Sequence, residues 1–303
     1  MLSTALNVTD VAKAICIPEG GTTGYYIAGM KSVALILYSV LSFFGYIQKI
    51  ESAARHARVE LLSRQTTLHP GANLQMGIHF ILEPGWHIYW INPGDSGQPP
   101  VLKWQLPPGF SAGEIQWPRP ERMQSSAELA DYGYHDEALL MVPIHAPPFI
   151  NNERLRGLRF AVEAKWLVCR EVCIPEHASL ELFLQSGATK ENPATAKLFA
   201  DAEKLLPIAM PRGWKAEAES RKSDFLLTVA GGKPITKAIF FPLDPGQIDN
   251  PAPQSLQATT HGAKITLKKS DLLLKQINVL RGVLVIPGGP AYQIEAPVRQ
   301  PIQ

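Results

Sequence analysis

The chain is poor in charge and poorer still in cysteine. Asp, Glu, Lys and Arg make up 18% of its 303 residues, against roughly 25% in ordinary soluble domains. The 29 basic and 27 acidic residues nearly cancel, leaving +2, and with no run of like charges there is no electrostatic footprint for nucleic acid. Only three cysteines occur, too few for a disulfide-rich scaffold. The histidines show no metal-ligand spacing, and residues 188–303 have neither a cysteine nor a glycine-rich phosphate loop. No apolar run reaches the roughly 20 residues of a membrane-spanning helix. What is present is ordinary for a folded protein: 46% hydrophobic residues, with Gly (23) and Pro (26) on the high side. That profile excludes disorder and a coiled coil. At roughly 150 residues per domain the length predicts two domains.

The longest apolar run, residues 32–47, is about sixteen residues and follows Met30 and Lys31. This is the shape of a secretory signal peptide. Ser52, Ala53 and Ala54 supply small residues ahead of a cleavage that makes Arg55 the first mature residue. Translation from Met30 would account for residues 1–29 and remove Cys16 from the product; an uncleaved anchor is the alternative. Either reading puts the remainder outside the cytoplasm. There the two remaining cysteines, Cys169 and Cys173, favour a disulfide. The match of CIPE at 16–19 to CIPE at 173–176 lacks flanking similarity and reads as chance.

Beyond residue 55, short apolar alternations punctuated by Gly and Pro predict an all-β chain of two tandem sandwiches. Leu180, Leu182 and Leu184 alternate with Ser179, Glu181 and Phe183, and Ala263, Ile265 and Leu267 alternate with Lys264, Thr266 and Lys268. Period two marks strands with one buried face. Further strands are predicted at 59–62, 74–82, 87–91, 139–145, 158–168, 225–229, 238–241, 283–286 and 292–295. Alternation stops near 187–193, and residues 194–206 form an amphipathic helix led by Asn192 and Pro193. The organisation is therefore a leader (1–54), a first domain (55–187) and a second domain (188–303). Residues 94–113 and 118–133, rich in Gly and Pro, read as long loops, where binding usually sits. Trp86, Trp90, Trp104 and Trp117 read as core or loop anchors in preference to a binding groove.

In one extended strand Cys169 and Cys173 would stand about 13 Å apart, whereas a disulfide needs Cα atoms about 4.4–6.8 Å apart. A bonded pair thus predicts a hairpin whose loop is Arg170, Glu171 and Val172. Three readings compete. A ring of about five residues stabilises a fold by only about 2 kcal/mol in the chain-entropy model, which makes a structural staple a weak use of the pair. A metal site would need more ligands than His177 and His135 supply. A redox-active dithiol needs an accessible sulfur and a second cysteine to resolve the mixed disulfide, and a hairpin tip can offer both.

Four motifs then occur in order: GWHIYWINPGDSGQPP at 85–100, WPRP at 117–120, DYG at 131–133 and WLVCREVCIPE at 166–176. Together they resemble the periplasmic N-terminal region of the DsbD/ScsB family of protein-disulfide reductases. The helix 194–206, PRGW at 211–214 and the second β-rich stretch resemble the second domain of ScsB-like members. The resemblance implies an immunoglobulin-like domain that works by thiol–disulfide exchange without a cofactor or metal. Its partners would be thioredoxin-fold periplasmic proteins and a membrane-embedded thiol carrier, with no small-molecule substrate. By motif position Cys173 would form the mixed disulfide and Cys169 would resolve it. A cap would lie at Asp131, Tyr132 and Gly133, with Tyr132 as the aromatic cover, although Asp131 stands where a cap aromatic is expected. Arg170, Glu171, Glu176 and His177 are close enough in sequence to tune a thiolate; a solvated hairpin face is the equal alternative. The three residues between the cysteines fit the ScsB-like branch. No thioredoxin-like Cys-x-x-Cys follows the pair, so those modules would act in cis from a longer product or in trans. A different class of protein, a secreted binding or assembly module with a structural disulfide, remains the rival.

Overall fold

The computed structural model describes residues 55–124, 126, 128–150 and 157–300; the leader expected at 1–54 lies outside them. The described residues form one compact unit. Among the described residues no helix is long and apolar enough to cross a membrane.

The fold is all-β, and its first half is immunoglobulin-like. One sheet orders the strands Ala57–Ser63, Asn73–Leu82, Glu137–His145 and the short Ser111–Ala112, all antiparallel. The facing sheet is built on the long hairpin of Leu158–Cys169 and Cys173–Ser186 and continues through His87–Gly94, Ala130–His135 and Glu121–Gln124. Side chains of a strand point alternately to the two faces of its sheet. Along Leu158–Cys169 the inward positions are Phe160, Val162, Ala164, Trp166 and Val168, all buried. Val162, Ala164, Trp166 and Val168 meet Ile78, Phe80 and Leu140 of the other sheet, with the Trp166 ring edge-on to Phe80 at 5.2 Å between centroids, while Phe160 packs with Met76, Val142 and Ile144. Trp86 and Trp90 are buried in the same core, and Trp104 and Trp117 pack against it.

The two stretches expected as long loops contain strands. Val101–Gln105 pairs with residues 161–165 of the long hairpin, held between Pro99-Pro100 and Pro107-Pro108. Ala130–His135 is a sheet strand whose first five residues are all buried. A strand covered on both faces has no apolar/polar alternation, so the period-two signal cannot reveal it.

The helix spans Ala196–Glu203, shorter at both ends than its sequence pattern. Phe199 and Ala202 are its buried residues and pack on Leu139 and Met141 of the first half. Thr195 Oγ1 ties its start to the Ser63 carbonyl at 2.8 Å. Leu205, just past its end, is 41% exposed.

In the second half, Ile239–Pro242, Val279–Val285 and Ala291–Arg299 form one sheet, and Lys215–Ser220, Asp224–Ala230, Gly262–Lys268 and Ser255–Thr259 the other. Strand Ala291–Arg299 changes partners near its end: residues 291–297 pair with Val279–Val285, and Val298 and Arg299 with Ala218 and Glu219. Phe225, Leu227, Ile265, Phe240, Leu284 and Ile294 fill the space between the sheets. The two halves meet through a shared apolar seam. Phe241 of the second half lies edge-on to Tyr132 at 5.1 Å and to Trp90 at 6.3 Å, and Asn92 Nδ2 donates to the Pro242 carbonyl at 2.7 Å.

Candidate functional site

The hairpin expected from the cysteine spacing is present. Cys169 and Cys173 face each other as the last register pair of the ladder, with Cα atoms 4.2 Å apart, and are joined by a disulfide. Since Trp166 and Val168 point into the core, the alternation sends Cys169 to the opposite, outer face. The two sulfurs differ in access: Cys169 is 3% exposed, while Cys173 is an exposed residue beside Val172, itself 68% exposed at the tip.

Across the sheet from Cys169 stands His87, and across from His87 stands His135. Cys173, Cys169, His87 and His135 therefore form one row over four strands. The two imidazoles lie 5.7 Å apart between centroids. His87 is buried, with no hydrogen-bond partner on Nε2. Burial first, and then the neighbouring His135, hold its pKa below 6.5, with Asp131 pulling the other way. Its ring is neutral at neutral pH.

Two residues along from His87, on the same face, is Tyr89. Its hydroxyl lies 3.1 Å from Cys173 Sγ and 3.3 Å from Ser96 Oγ. The phenol is fully buried, and burial is the main cause that pushes its pKa up. It therefore stays protonated and can donate to sulfur. Ser96 in turn donates from its backbone N and from Oγ to the two carboxylate oxygens of Asp131, each at 2.9 Å. The ring of Tyr89 lies against Gly97, where φ is +75° and a Cβ would stand 2.1 Å from Tyr89 Cζ. Only glycine lets the loop 94–97 lie on that ring.

The residues singled out from sequence separate under this geometry. Cys169 and Cys173 come together as described. Tyr132 does not cover them: it is fully buried in the seam between the halves, its hydroxyl donating to Asn250 Oδ1 at 2.9 Å, and burial raises its pKa strongly. The aromatic group against the disulfide is Tyr89. Asp131 reaches the site through Ser96. Gly133 pairs with Tyr89 in the sheet, and a Cβ there would lie 2.0 Å from the Ile88 carbonyl oxygen, so its role is close strand approach. Glu176 is turned inward and buried, and its Oε1 accepts the backbone N–H groups of Arg55 and His56 at 2.7 and 2.9 Å. That carboxylate anchors the start of the described chain. Arg170 places its guanidinium 5.4 Å from the centre of the Trp86 ring, a cation–π arrangement. Glu171 and His177 are exposed. Among the described residues no three His, Cys, Asp or Glu side chains are grouped to hold a metal ion.

His87, Tyr89 and Ser96 are not singled out by sequence reasoning. All three lie within the 85–100 motif, and strand alternation combined with the cysteine position could have put His87 and Tyr89 on the sulfur face.

An immunoglobulin-like sandwich with a cysteine pair bridging neighbouring strands at the end of one sheet, one sulfur open and one closed, defines the class. Residues 58–185 match the family described as thiol:disulfide interchange protein DsbD, N-terminal. A solved structure, the N-terminal periplasmic domain of ScsB from Proteus mirabilis, superposes with a TM-score of 0.61 at 20% identity, covering 82% of this chain and 95% of that one. The sporulation control protein Spo0M from Bacillus subtilis aligns over 80% of this chain and 91% of its own at 11% identity, with a TM-score of 0.20. No curated protein sequence matches the chain.

Proposed function

We propose that the chain is a periplasmic thiol–disulfide exchange domain that receives electrons from a thioredoxin-fold donor fed by a membrane thiol carrier and passes them to periplasmic proteins. The observation that carries this reading is the asymmetry of the pair, with exposed Cys173 and buried Cys169 joined across a hairpin end. A donor thiolate attacks Cys173 Sγ. A new intermolecular S–S bond forms as the Cys169–Cys173 bond breaks, and Cys169 leaves as a thiolate that takes up a proton. The donor's second thiol, losing its proton, attacks its own half of the mixed disulfide and releases Cys173, so two electrons and two protons have moved onto this pair. The same steps in reverse reduce a substrate disulfide. Cys173 is thus the exchanging sulfur and Cys169 the resolving one. The first domain (55–187) carries the chemistry, and the second (188–303) supports it.

The test is the reduction potential of the pair, read by thiol alkylation after equilibration in glutathione or dithiothreitol buffers. A value between about −180 and about −270 mV is expected, the span of exchange proteins. A value below about −300 mV marks an inert structural disulfide and overturns the reading. The Cys169→Ala variant is expected to accumulate a mixed disulfide between Cys173 and a thioredoxin-fold protein; recovery of no such adduct counts against the partner assignment.

A further inference from the structure

The second sandwich contributes no cysteine, yet a chain of hydrogen bonds runs from it to the sulfur. Asn250, in the second half, is 6% exposed. Its amide stands between a hydroxyl donor and a carboxylate. Oδ1 accepts from Tyr132 Oη at 2.9 Å, and Nδ2 donates to Asp95 Oδ1 at 2.7 Å. An acceptor-only carboxylate on one side and an O–H on the other fix the orientation of the amide. The other Asp95 oxygen accepts the Ala130 N–H at 2.8 Å, and the Asp95 N–H bonds the Ala130 carbonyl at 3.2 Å. Asp95 is thereby tied to both the neighbouring strand and the second sandwich. The next residue is Ser96, whose Oγ meets the Tyr89 hydroxyl, and after it comes Gly97, on which the Tyr89 ring lies.

We infer that the second sandwich sets the reactivity of Cys173 by holding the loop 94–97 through Asn250. Asn250 is a positioning residue that acts through the loop backbone at Gly97 and the Tyr89 ring on the sulfur 3.1 Å from the phenol oxygen. The inference rests on reading the pair as an exchange site and assigns the second half its part in that site. Removing the amide leaves the Tyr132 hydroxyl without its partner in the buried seam and unties exposed Asp95, and with it the loop 94–97, from the second sandwich. Gly97 shifts with the loop, and the Tyr89 ring loses the backbone it rests on, which holds its hydroxyl beside the sulfur. Without that donor the Cys173 thiolate is less favoured, and the thiolate is the reacting form.

The experiment is a double-mutant cycle on the full, reduced chain. The alkylation rate of Cys173 by iodoacetamide at pH 7 is followed by peptide mass spectrometry, which separates it from Cys16 and Cys169. Asp131, which acts on the phenol, and His87, whose ring lies 5.2 Å from that of Tyr89, stay in place in every variant. Asn250→Ala is expected to slow alkylation roughly five-fold, the change in thiolate fraction that a lost donor brings, and to leave the rate unchanged once Tyr89→Phe is already present. Equal slowing in both backgrounds, or no slowing in either, overturns the inference. Should Asn250→Ala fail to fold by circular dichroism, Tyr132→Phe removes only the hydroxyl on the far side of the amide and serves in the same cycle, with smaller slowing in the same direction. Because alkylation reads Cys173 whether or not the pair exchanges with a partner, an out-of-range reduction potential overturns the proposed function without deciding the cycle, and the converse holds too.

Discussion

Tyr89 is the side chain through which the exposed sulfur meets the protein. A protonated phenol at 3.1 Å favours a thiolate over a thiol by donating to the charged form. Tyr89→Phe is therefore expected to slow alkylation of reduced Cys173 at pH 7 by roughly an order of magnitude, with the loss vanishing at a pH high enough to ionise the thiol in both proteins. A rate equal to wild type at pH 7 would deny the phenol this role. His87 makes a prediction of the opposite kind, about stability. Its folded pKa lies below 6.5, so at pH values between the two the unfolded chain binds more protons and stability rises with pH. The contribution of the neutral ring is complete above about 6.5 and is lost as acidification proceeds toward the lowered folded value. His87→Gln is expected to flatten the fall in melting temperature between pH 7 and pH 5; His135 and Asp131, the other charges acting on this ring, remain in that variant. An unchanged pH profile would show that His87 does not charge on unfolding.

At the scale of elements, the long hairpin and the helix were legible in the sequence, and the seam was not. Cys169 and Cys173 flanking a three-residue loop announce a hairpin, because Cα geometry forbids a bonded pair on one straight strand. Leu180, Leu182 and Leu184 announce the pleat of its second strand. The strand Ala130–His135 gave no such signal, since its outward residues are covered too. The same covering explains Tyr132: an aromatic beside a glycine in a recognised motif looks like a lid, while its true neighbours, Phe241 and Asn250, lie more than a hundred residues away. Tyr89 stayed hidden for a related reason, as its distance to Cys173 depends on which strands adjoin. The helix is tested more simply. Phe199 is fully buried against Leu139 and Met141, and Phe199→Ala is expected to lower stability by about 3 kcal/mol in urea denaturation while leaving the potential of the cysteine pair unchanged. A shift in that potential would mean that the helix communicates with the site.

For the molecule as a whole, the disulfide contributes little to holding the fold. A ring of about five residues is worth about 2 kcal/mol at most in the chain-entropy model, and the ladder from Leu158 opposite Leu184 to Cys169 opposite Cys173 already closes the hairpin. Reduction is expected to lower stability by no more than that amount in paired denaturation curves with and without reductant. A much larger loss would favour the staple. The molecule's two apolar cores and its shared seam supply the stability instead, with the seam also carrying the amide that aims the loop.

The alternation that sends Trp166 and Val168 inward and Cys169 outward separates two kinds of wear. The bond that the proposed exchange would break and re-form sits on one side of a sheet, and the close-packed interior sits on the other. Under the proposed exchange the interior need not repack when that bond opens, so the same molecule could serve repeatedly without being refolded between rounds. Substitutions that adjust reactivity, at Tyr89, Ser96 or Asn250, can then accumulate without rewriting the packing around Phe80 and Trp166.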